Sequence, residues 1–212
     1  MKAAAEPEPT TTTPRNLARQ NQVLSAAAKL FGESGFHGSS MSTLAKRAGM
    51  SVGHIYHYFE NKDAIIEALV DRAMDELGDM LDEADPGDDP LAALMNWLDA
   101  RVKRQLDRDK AALRLEILAE AARNPRIAEK LRSADAASRQ RLTGLVSRQL
   151  PGLDERQIAD RVEAIAATYW GLTFRAVHNT HLDHDAVART TRLVLRQLLT
   201  DESGDRATAR RH

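Results

Sequence analysis

Signals that start α-helices recur along the whole chain and leave little room for other structure. Val23, Ala27, Leu30 and Phe31 fall at i, i+4, i+7 and i+8, the apolar stripe of an amphipathic helix. Further starts are indicated wherever an N-cap residue precedes a helical pattern, at Ser40, Ser51, Asn61, Asp89, Asn124, Asp154 and Asp183. No segment shows the period-two alternation of a strand. The sequence therefore predicts an all-α fold of about nine helices, the first three short and the rest long.

Composition divides the 212 residues into four parts. Residues 1–14, rich in Glu, Pro and Thr, are expected to form a disordered tail, and the polar residues 201–212 a frayed end. The closely spaced helices of residues 15–62 predict a small N-terminal unit. A fourth helix, whose first part to about residue 76 belongs with that unit, joins it to a helical bundle over residues 63–200.

Charge is distributed unevenly between these parts. Residues 15–62 carry six Lys or Arg and two Asp or Glu, a net charge of +4, whereas residues 63–212 carry 23 and 27, a net charge of −4. A basic head on an acidic body suggests a polyanionic partner for the head alone. The chain has no cysteine, which excludes disulfides, thiolate metal sites and cysteine nucleophiles.

Neither a membrane association nor an enzyme is predicted. No stretch approaches the roughly 18 apolar residues of a membrane span, and the N-terminus lacks the apolar run of a signal peptide. The chain contains no phosphate loop, nucleophile elbow or HExxH pattern. We therefore expect a cytoplasmic protein without membrane contact, catalytic residues or cofactor.

Two short helical segments, 41–48 and 52–58, are separated by the tripeptide GMS. This is the spacing of a helix-turn-helix motif, with Gly49 at the tight turn because glycine accepts a positive φ at little cost. The inner side of the motif is expected to be apolar and includes Leu44 and Ile55. Phe59 and part of Tyr56 are expected to pack inward, and the histidines and Tyr58 to face outward. The same spacing also occurs in all-α proteins that bind no nucleic acid.

The second segment suits the major groove of DNA. Its seven residues span about 10 Å, which fits a groove about 12 Å wide. Gly53 lets the helix N-terminus approach the duplex, His54 can hydrogen-bond a base edge and Val52 can contact a thymine methyl group. Tyrosine hydroxyls and the Lys62 ammonium suit phosphate oxygens.

The stretch SMSTLAKRAGMSVGHIYHYFENKDAIIEAL, residues 40–69, closely resembles the signature of tetracycline-repressor-type (TetR family) transcriptional regulators. Upstream, VLSAAAKLFGESGFHGSSM resembles the first helix of that family and its following turn. The resemblance covers about residues 16–76. It implies a homodimer that binds a palindromic DNA operator, usually as a repressor released by a small ligand. The DNA contacts that it implies are Ser40, Ser42, Val52, Gly53, His54, Tyr56, His57, Tyr58 and Lys62.

The body carries two apolar stripes that could form a dimer seam. The uncharged run AIAATYWGLTF, residues 164–174, predicts a helix buried on several sides, and a second stripe follows the last helix. The resemblance implies that two such hairpins pack as a four-helix interface; alternatively, both stripes are core of a single chain. The interface residues expected are Ile165, Ala166, Tyr169, Thr173, Val187, Thr190, Val194 and Leu198.

A ligand pocket is expected in the same body, lined by Trp97, Arg101, Glu116, Glu120, Trp170, Phe174 and His178. The ligand is expected to be small and largely apolar or cationic, since Glu116 and Glu120 share one helix face, where a carboxylate in an apolar wall could meet a cation. Alternatively, the two glutamates are solvated or paired with Arg114 or Arg123.

Other readings of the body remain open. His178, His181 and His184 are spaced every third residue, but a solvated turn explains them better than a metal site. The chain could also be a helical ligand-binding or assembly module without DNA activity, or an activator rather than a repressor.

Overall fold

The computed structural model describes residues 14–82 and 90–200. This part of the chain forms nine α-helices and no strand, as the sequence predicts. The helices are α1 (Pro14–Ser34), α2 (Met41–Ala48), α3 (Val52–Tyr56), α4 (Lys62–Asp82), α5 (Pro90–Leu106), α6 (Arg108–Ala121), α7 (Pro125–Gln149), α8 (Glu155–His178) and α9 (His184–Leu198). The expected tails at 1–14 and 201–212 lie outside the described residues, Pro14 excepted, and so does Asp89.

The predicted helix starts are confirmed by hydrogen bonds. The side chains of Ser40, Ser51, Asn124 and Asp183 each accept a backbone N–H from the first turn of their helices. Asp154 and Gln157 form the reciprocal capping box. The break between α5 and α6 has a cap of its own that the sequence analysis missed, since Asp107 accepts from the N–H groups of Asp109 and Lys110.

Two lengths differ from expectation. The helix α1 is not short, because its stripe continues without a breaker for 21 residues up to Gly35, whose φ of +72° ends it. The helix α3 has five residues rather than seven, since His57 and Tyr58 form a turn before Phe59.

Two apolar cores hold the helices together. The first joins α1–α4 and also receives Ile117 of α6 and Ile127 of α7, both buried. The second lies within the bundle and contains buried residues of α5, α7, α8 and α9, such as Leu98 and Ile165. Burying an aliphatic side chain of this size contributes roughly 1.5–3 kcal/mol. The N-terminal unit therefore shares its core with the bundle and does not end physically at residue 62.

Candidate nucleic-acid interface and effector region

The helix-turn-helix motif is built as the sequence predicts. Gly49 ends α2 in the left-handed conformation, with φ +61°. Its N–H donates a hydrogen bond to the carbonyls of Ala45 and Lys46. Leu44, Ala45 and Ile55 are buried in the first core. This packing fixes α3 against α2 and leaves the opposite side of α3 in solvent.

The exposed side of α3 presents most of the residues expected to contact DNA. Gly53, His54, Tyr56 and His57 are exposed, and Val52 is half-buried. A Cβ placed on Gly53 would meet nothing within 4 Å, so no packing inside the chain requires glycine at this position. This surface is therefore free for an external partner.

Of the two tyrosines, Tyr58 departs from the orientation expected from the sequence. Tyr56 is 49% exposed, so about half of its surface is covered, in agreement with the expectation that it packs partly inward. Tyr58 is half-buried against the first core, and its hydroxyl lies 3.1 Å from His54 Nε2. The shortened helix explains the change, because Tyr58 lies in the following turn and is directed back along α3. Phe59 is buried, as expected.

Hydroxyl groups gather at the N-terminus of α2. Ser40 Oγ lies 2.8 Å from Ser42 Oγ and 2.9 Å from Thr43 Oγ1, and it accepts the Thr43 N–H at 3.1 Å. All three residues are exposed. Hydroxyls beside helix N–H groups can bind a phosphate oxygen.

Lys62 is placed differently from the other expected contacts. Its ammonium donates to the carbonyls of Phe36, at 2.6 Å, and Ser39, at 2.8 Å, and lies 4.1 Å from the centroid of the Phe36 ring. Partial burial lowers the pKa of Lys62, against the charges of Asp63 and Glu120, which raise it. The ammonium therefore fixes the turn that precedes α2.

That same turn, residues 35–39, is also held by α6. Glu116 Oε1 accepts the N–H of Phe36 at 2.5 Å, and Glu120 Oε2 lies 2.9 Å from His37 Nε2. Both glutamates come from the body of the protein, some 80 residues away in sequence. The position of α2 therefore depends directly on the position of α6.

Comparison with known proteins identifies this arrangement. Residues 23–69 match the model of bacterial regulatory proteins of the tetR family, and residues 90–200, more than half of the chain, match that of the C-terminal region of BetI-type transcriptional repressors. The chain belongs to the TetR family of transcriptional regulators. Its N-terminal helix-turn-helix is the DNA-binding domain of that family.

Similar TetR-family proteins cover different shares of the chain. The regulator UidR of Escherichia coli K12 is 29% identical over 54% of this chain and 57% of its own length, so this match spans little more than half of that relative. BetI of Stenotrophomonas maltophilia is 28% identical over 72% of this chain and 79% of its own. The structure of Salmonella enterica GusR superposes with a TM-score of 0.70 at 28% identity, covering 89% of this chain and 99% of that one.

The residues expected to line one pocket lie in three separate places of this TetR-family chain. Glu116 and Glu120 hold the turn before α2, and Glu120 also pairs with Arg123 at 3.3 Å, which was one of the alternatives. Trp170, Phe174 and His178 lie on the exposed face of α8, where Phe174 and His178 stack at 5.2 Å. The structure therefore does not bring the expected residues together, because Glu116 and Glu120 of α6 reach the turn before α2.

Trp97 and Arg101 form the third of these groups. The Arg101 guanidinium lies 5.0 Å from the Trp97 ring and 4.8 Å from the Tyr169 ring. Trp97 and Tyr169 are buried in the second core. Burial lowers the pKa of Arg101, and the neighbouring Tyr169 partly offsets that change.

The open cleft found between α5, α6 and α9 contains none of the expected pocket residues. Its volume is about 470 Å³, and its walls carry charges of both signs from residues such as Lys103, Asp109 and Asp185. Within the described ranges, no group of His, Asp and Glu side chains is arranged to hold a metal ion. None of the described helices is both long and apolar enough to cross a membrane.

The expected dimer seam is partly interior to the single chain. Ile165, Tyr169 and Thr173 are buried in the monomer, and Val187 and Leu198 pack against its second core. These residues contribute to the core of the single chain because the bundle closes over that side of α8, and their part in a dimer interface stays a prediction. Thr190 and Val194 are exposed on α9, and Ala166 is half-buried.

Four large apolar side chains of α8 and α9, Val194 of the expected seam among them, remain exposed to solvent, and we call this group the α8–α9 face. It consists of Trp170, Phe174, Leu193 and Val194, with exposed fractions of 40, 56, 69 and 45%. Ala167 and Gly171 are exposed on α8 beside them. The uncharged run 164–174 thus has two apolar sides. The stripe identified from the sequence, with Ile165 and Tyr169, is the buried side.

Proposed function

We propose that this TetR-family regulator is a homodimeric repressor that binds a palindromic operator through α3 and is released by a small ligand in the C-terminal bundle. The observation that carries the DNA-binding part is the solvent-facing side of α3. It presents Gly53, His54, Tyr56 and His57 on a motif whose other side is locked into the first core.

In this proposal each exposed group has a defined partner on the duplex. His54 and His57 contact base edges, and Val52 contacts a thymine methyl group. The hydroxyls of Ser40 and Ser42 bind a phosphate at the N-terminus of α2, and Tyr56 and Tyr58 contact the backbone. Gly53 allows the backbone of α3 to approach closely, since a methyl group there would point into open space toward the duplex.

A second copy of the chain is the proposed occupant of the α8–α9 face. Four large apolar side chains exposed together on two packed helices mark an interaction surface. Two copies joined there would carry two copies of α3, which must reach half-sites about 34–36 Å apart on one side of the DNA. A ligand that changes this separation would weaken operator binding without touching DNA.

The turn held by Glu116 and Glu120 is the proposed route by which the bundle acts on DNA. A shift of α6 moves the partners of Phe36 and His37, and with them the N-terminus of α2. A small displacement there suffices, because packed interfaces move between discrete arrangements.

The comparisons do not extend to the ligand of this chain. The structure of FadR from Bacillus subtilis contains stearoyl-CoA, but at 22% identity that likeness concerns the fold alone. Glu116 and Glu120 are the residues expected to receive a cationic ligand. Their carboxylates instead contact residues of the turn before α2, and Glu120 also pairs with Arg123. The proposal therefore takes the ligand site to lie elsewhere in the bundle.

The DNA-binding proposal is tested by selecting duplexes from a random library with the purified full-length chain and then titrating the winner by fluorescence anisotropy. We expect one palindromic duplex to bind far more tightly than a scrambled one. Gly53→Ala should weaken that binding at least about tenfold, the cost of about 1.4 kcal/mol of lost contact. Gly144→Ala, another helical glycine whose added methyl meets only Arg148 at 3.8 Å, is the matched control and should bind normally. Failure to enrich any duplex at low salt would favour a helical module without DNA activity.

A further inference from the structure

We infer that the bundle takes an anionic ligand, a carboxylate or phosphate carried on an apolar body, held by Arg101 and Trp97 between α5 and α8. This inference rests on the proposed ligand-released regulator and names the chemical class of its effector. It replaces the cationic ligand expected from Glu116 and Glu120.

The first observation is a partly buried arginine beside the second core, one of whose donors is not used. Arg101 Nη1 is buried and has no hydrogen-bond partner in the described part of the chain. A buried charge normally has a counter-charge, because leaving water unpaired costs several kcal/mol. Arg101 lies over the rings of Trp97 and Tyr169 and also interacts with the Tyr169 hydroxyl, so Nη1 is the donor that remains available.

A second unpaired donor lies one helical turn away. Trp97 Nε1 is buried without a partner in the same described region, although a buried indole N–H usually finds an acceptor. Residues 97 and 101 are i and i+4 on α5, so their side chains share one face of the helix. A ligand with acceptor oxygens would satisfy both of these neighbouring donors.

The surrounding charge has the same sign. Burial lowers the pKa of Arg101, and the charge of Arg104 lowers it further. Burial also lowers the pKa of Arg114, to about 10, and the charges of Arg104 and Arg101 contribute to that shift. Arg114 Nη2 donates to the carbonyls of Arg104 and Gln105 at 3.0 and 3.2 Å, while its Nε is buried without a partner among the described residues. An added anion would therefore stabilise the charges of Arg101 and Arg114 together.

Two described carboxylates on or beside α5, Asp107 and Asp99, are engaged with other groups. Asp107, whose charge favours the Arg114 cation, caps α6 by accepting the N–H groups of Asp109 and Lys110. Asp99 on α5 pairs with Arg192 of α9. Neither satisfies Arg101 Nη1, and within the described residues no other acceptor reaches it, so we assign the role of counter-charge to a bound molecule.

The neighbouring core indicates the rest of the ligand. Leu98, Val102 and Leu172 of the second core are buried beside the two aromatic rings, so an apolar or aromatic body is favoured there. The Arg fork binds a carboxylate or a phosphate through paired N–H groups.

The test uses four small probes of one shape: benzoate, phenyl phosphate, benzamide and benzylamine. The thermal unfolding midpoint of the full-length protein is followed against probe concentration, since a ligand that binds only the folded state raises it. We expect benzoate or phenyl phosphate to raise the unfolding midpoint, and benzamide and benzylamine to leave it unchanged. The anion with the larger effect identifies the acidic group of the ligand. Equal responses to benzamide, or no response to either anion, would overturn the inference.

Two variants assign the effect to these residues. Arg101→Gln should weaken binding of the active anion about ten- to hundredfold, as for loss of a charged hydrogen bond of about 1.5–3 kcal/mol. Trp97→Phe keeps a ring in the core and removes the N–H, and it should weaken binding by a few fold even if Arg101→Gln does not fold. Arg156→Gln, on the exposed first turn of α8, is the matched control. Unchanged anion binding in a folded Arg101→Gln or Trp97→Phe protein would contradict the assignment.

Operator binding is measured on the same preparations without probe. Intact DNA binding with no anion response overturns the inference alone, whereas absent DNA binding overturns the proposed function whatever the probes do.

Discussion

Glu116 of α6 accepts the backbone N–H of Phe36 through Oε1 at 2.5 Å. Phe36 lies in the turn that sets the start of α2, and Glu116 lies in the body of the molecule. The Glu116 carboxylate also lies close to the backbone of the preceding Gly35, because a Cβ added there would be 3.3 Å from the same oxygen. This bond is one of the contacts that join the DNA-binding head to the bundle, beside the Glu120–His37 contact and the shared first core.

Removing the Glu116 carboxylate should loosen that joint. Glu116→Ala leaves the Phe36 N–H without its acceptor and should lower the free energy of unfolding by about 1–3 kcal/mol. Glu116→Gln keeps an oxygen acceptor and should cost less. Urea denaturation of the two variants measures the difference. Equal losses in both, or none in either, would show that the bond contributes nothing to holding the turn.

His54 and Tyr58 should act on DNA as a coupled pair, because their side chains lie 3.1 Å apart. His54→Ala should relax the preference at one base position by about 1–3 kcal/mol. Tyr58→Phe should weaken binding to every sequence and also release His54 from its hydroxyl partner. The double variant should therefore cost less than the sum of the two single changes, measured by anisotropy as a double-mutant cycle. Strict additivity, or unchanged sequence preference in His54→Ala, would separate the two residues.

Lys62 should support DNA binding through the turn rather than through phosphate. Lys62→Met removes the donor from the carbonyls of Phe36 and Ser39 and should lower stability by about 1–3 kcal/mol, with weaker operator binding as a consequence. Because two of its three N–H groups are used within the chain, the slope of log affinity against log salt should be unchanged. A slope reduced by about one would instead assign a phosphate contact to Lys62.

The α8–α9 face should be necessary for dimerisation but not for folding. Phe174 is 56% exposed in the single chain, so Phe174→Glu should change the stability of the monomer by no more than about 0.5 kcal/mol. A glutamate there would be buried without a counter-charge in the dimer and should dissociate it. Sedimentation equilibrium measures the change in oligomeric state. Leu118→Glu is the control, because Leu118 is an exposed side chain of α6 outside this face. A Phe174→Glu protein that remains dimeric would move the interface elsewhere.

The helices and their caps could be predicted from sequence because those signals are local. Ser40, Asn124 and Asp154 act within three residues of themselves, and each cap forms as expected. The left-handed Gly49 is equally local, since its conformation follows from the tight turn. The resemblance to the TetR family was carried by the same short-range pattern, and the family matches confirm it.

The destinations of side chains on the long helices could not be predicted in the same way. Glu116 and Glu120 share a face of α6, but only the packing of α6 on α1 reveals that this face meets a turn 80 residues earlier. The run around Tyr169 and Trp170 is apolar on both sides, so periodicity alone cannot tell which side is core. His37, the partner of Glu120, carried no signal beyond its residue type.

The central claim is that two copies of α3 enter the major groove on one side of a duplex. Methylation protection of guanine N7, which lies in the major groove, tests it most directly on the selected operator with the full-length protein. The account predicts two protected segments related by dyad symmetry and centred about 34–36 Å apart, both lost in Gly53→Ala. Protection confined to one segment, protection unchanged by Gly53→Ala, or no protection at a concentration that saturates the anisotropy signal would contradict it.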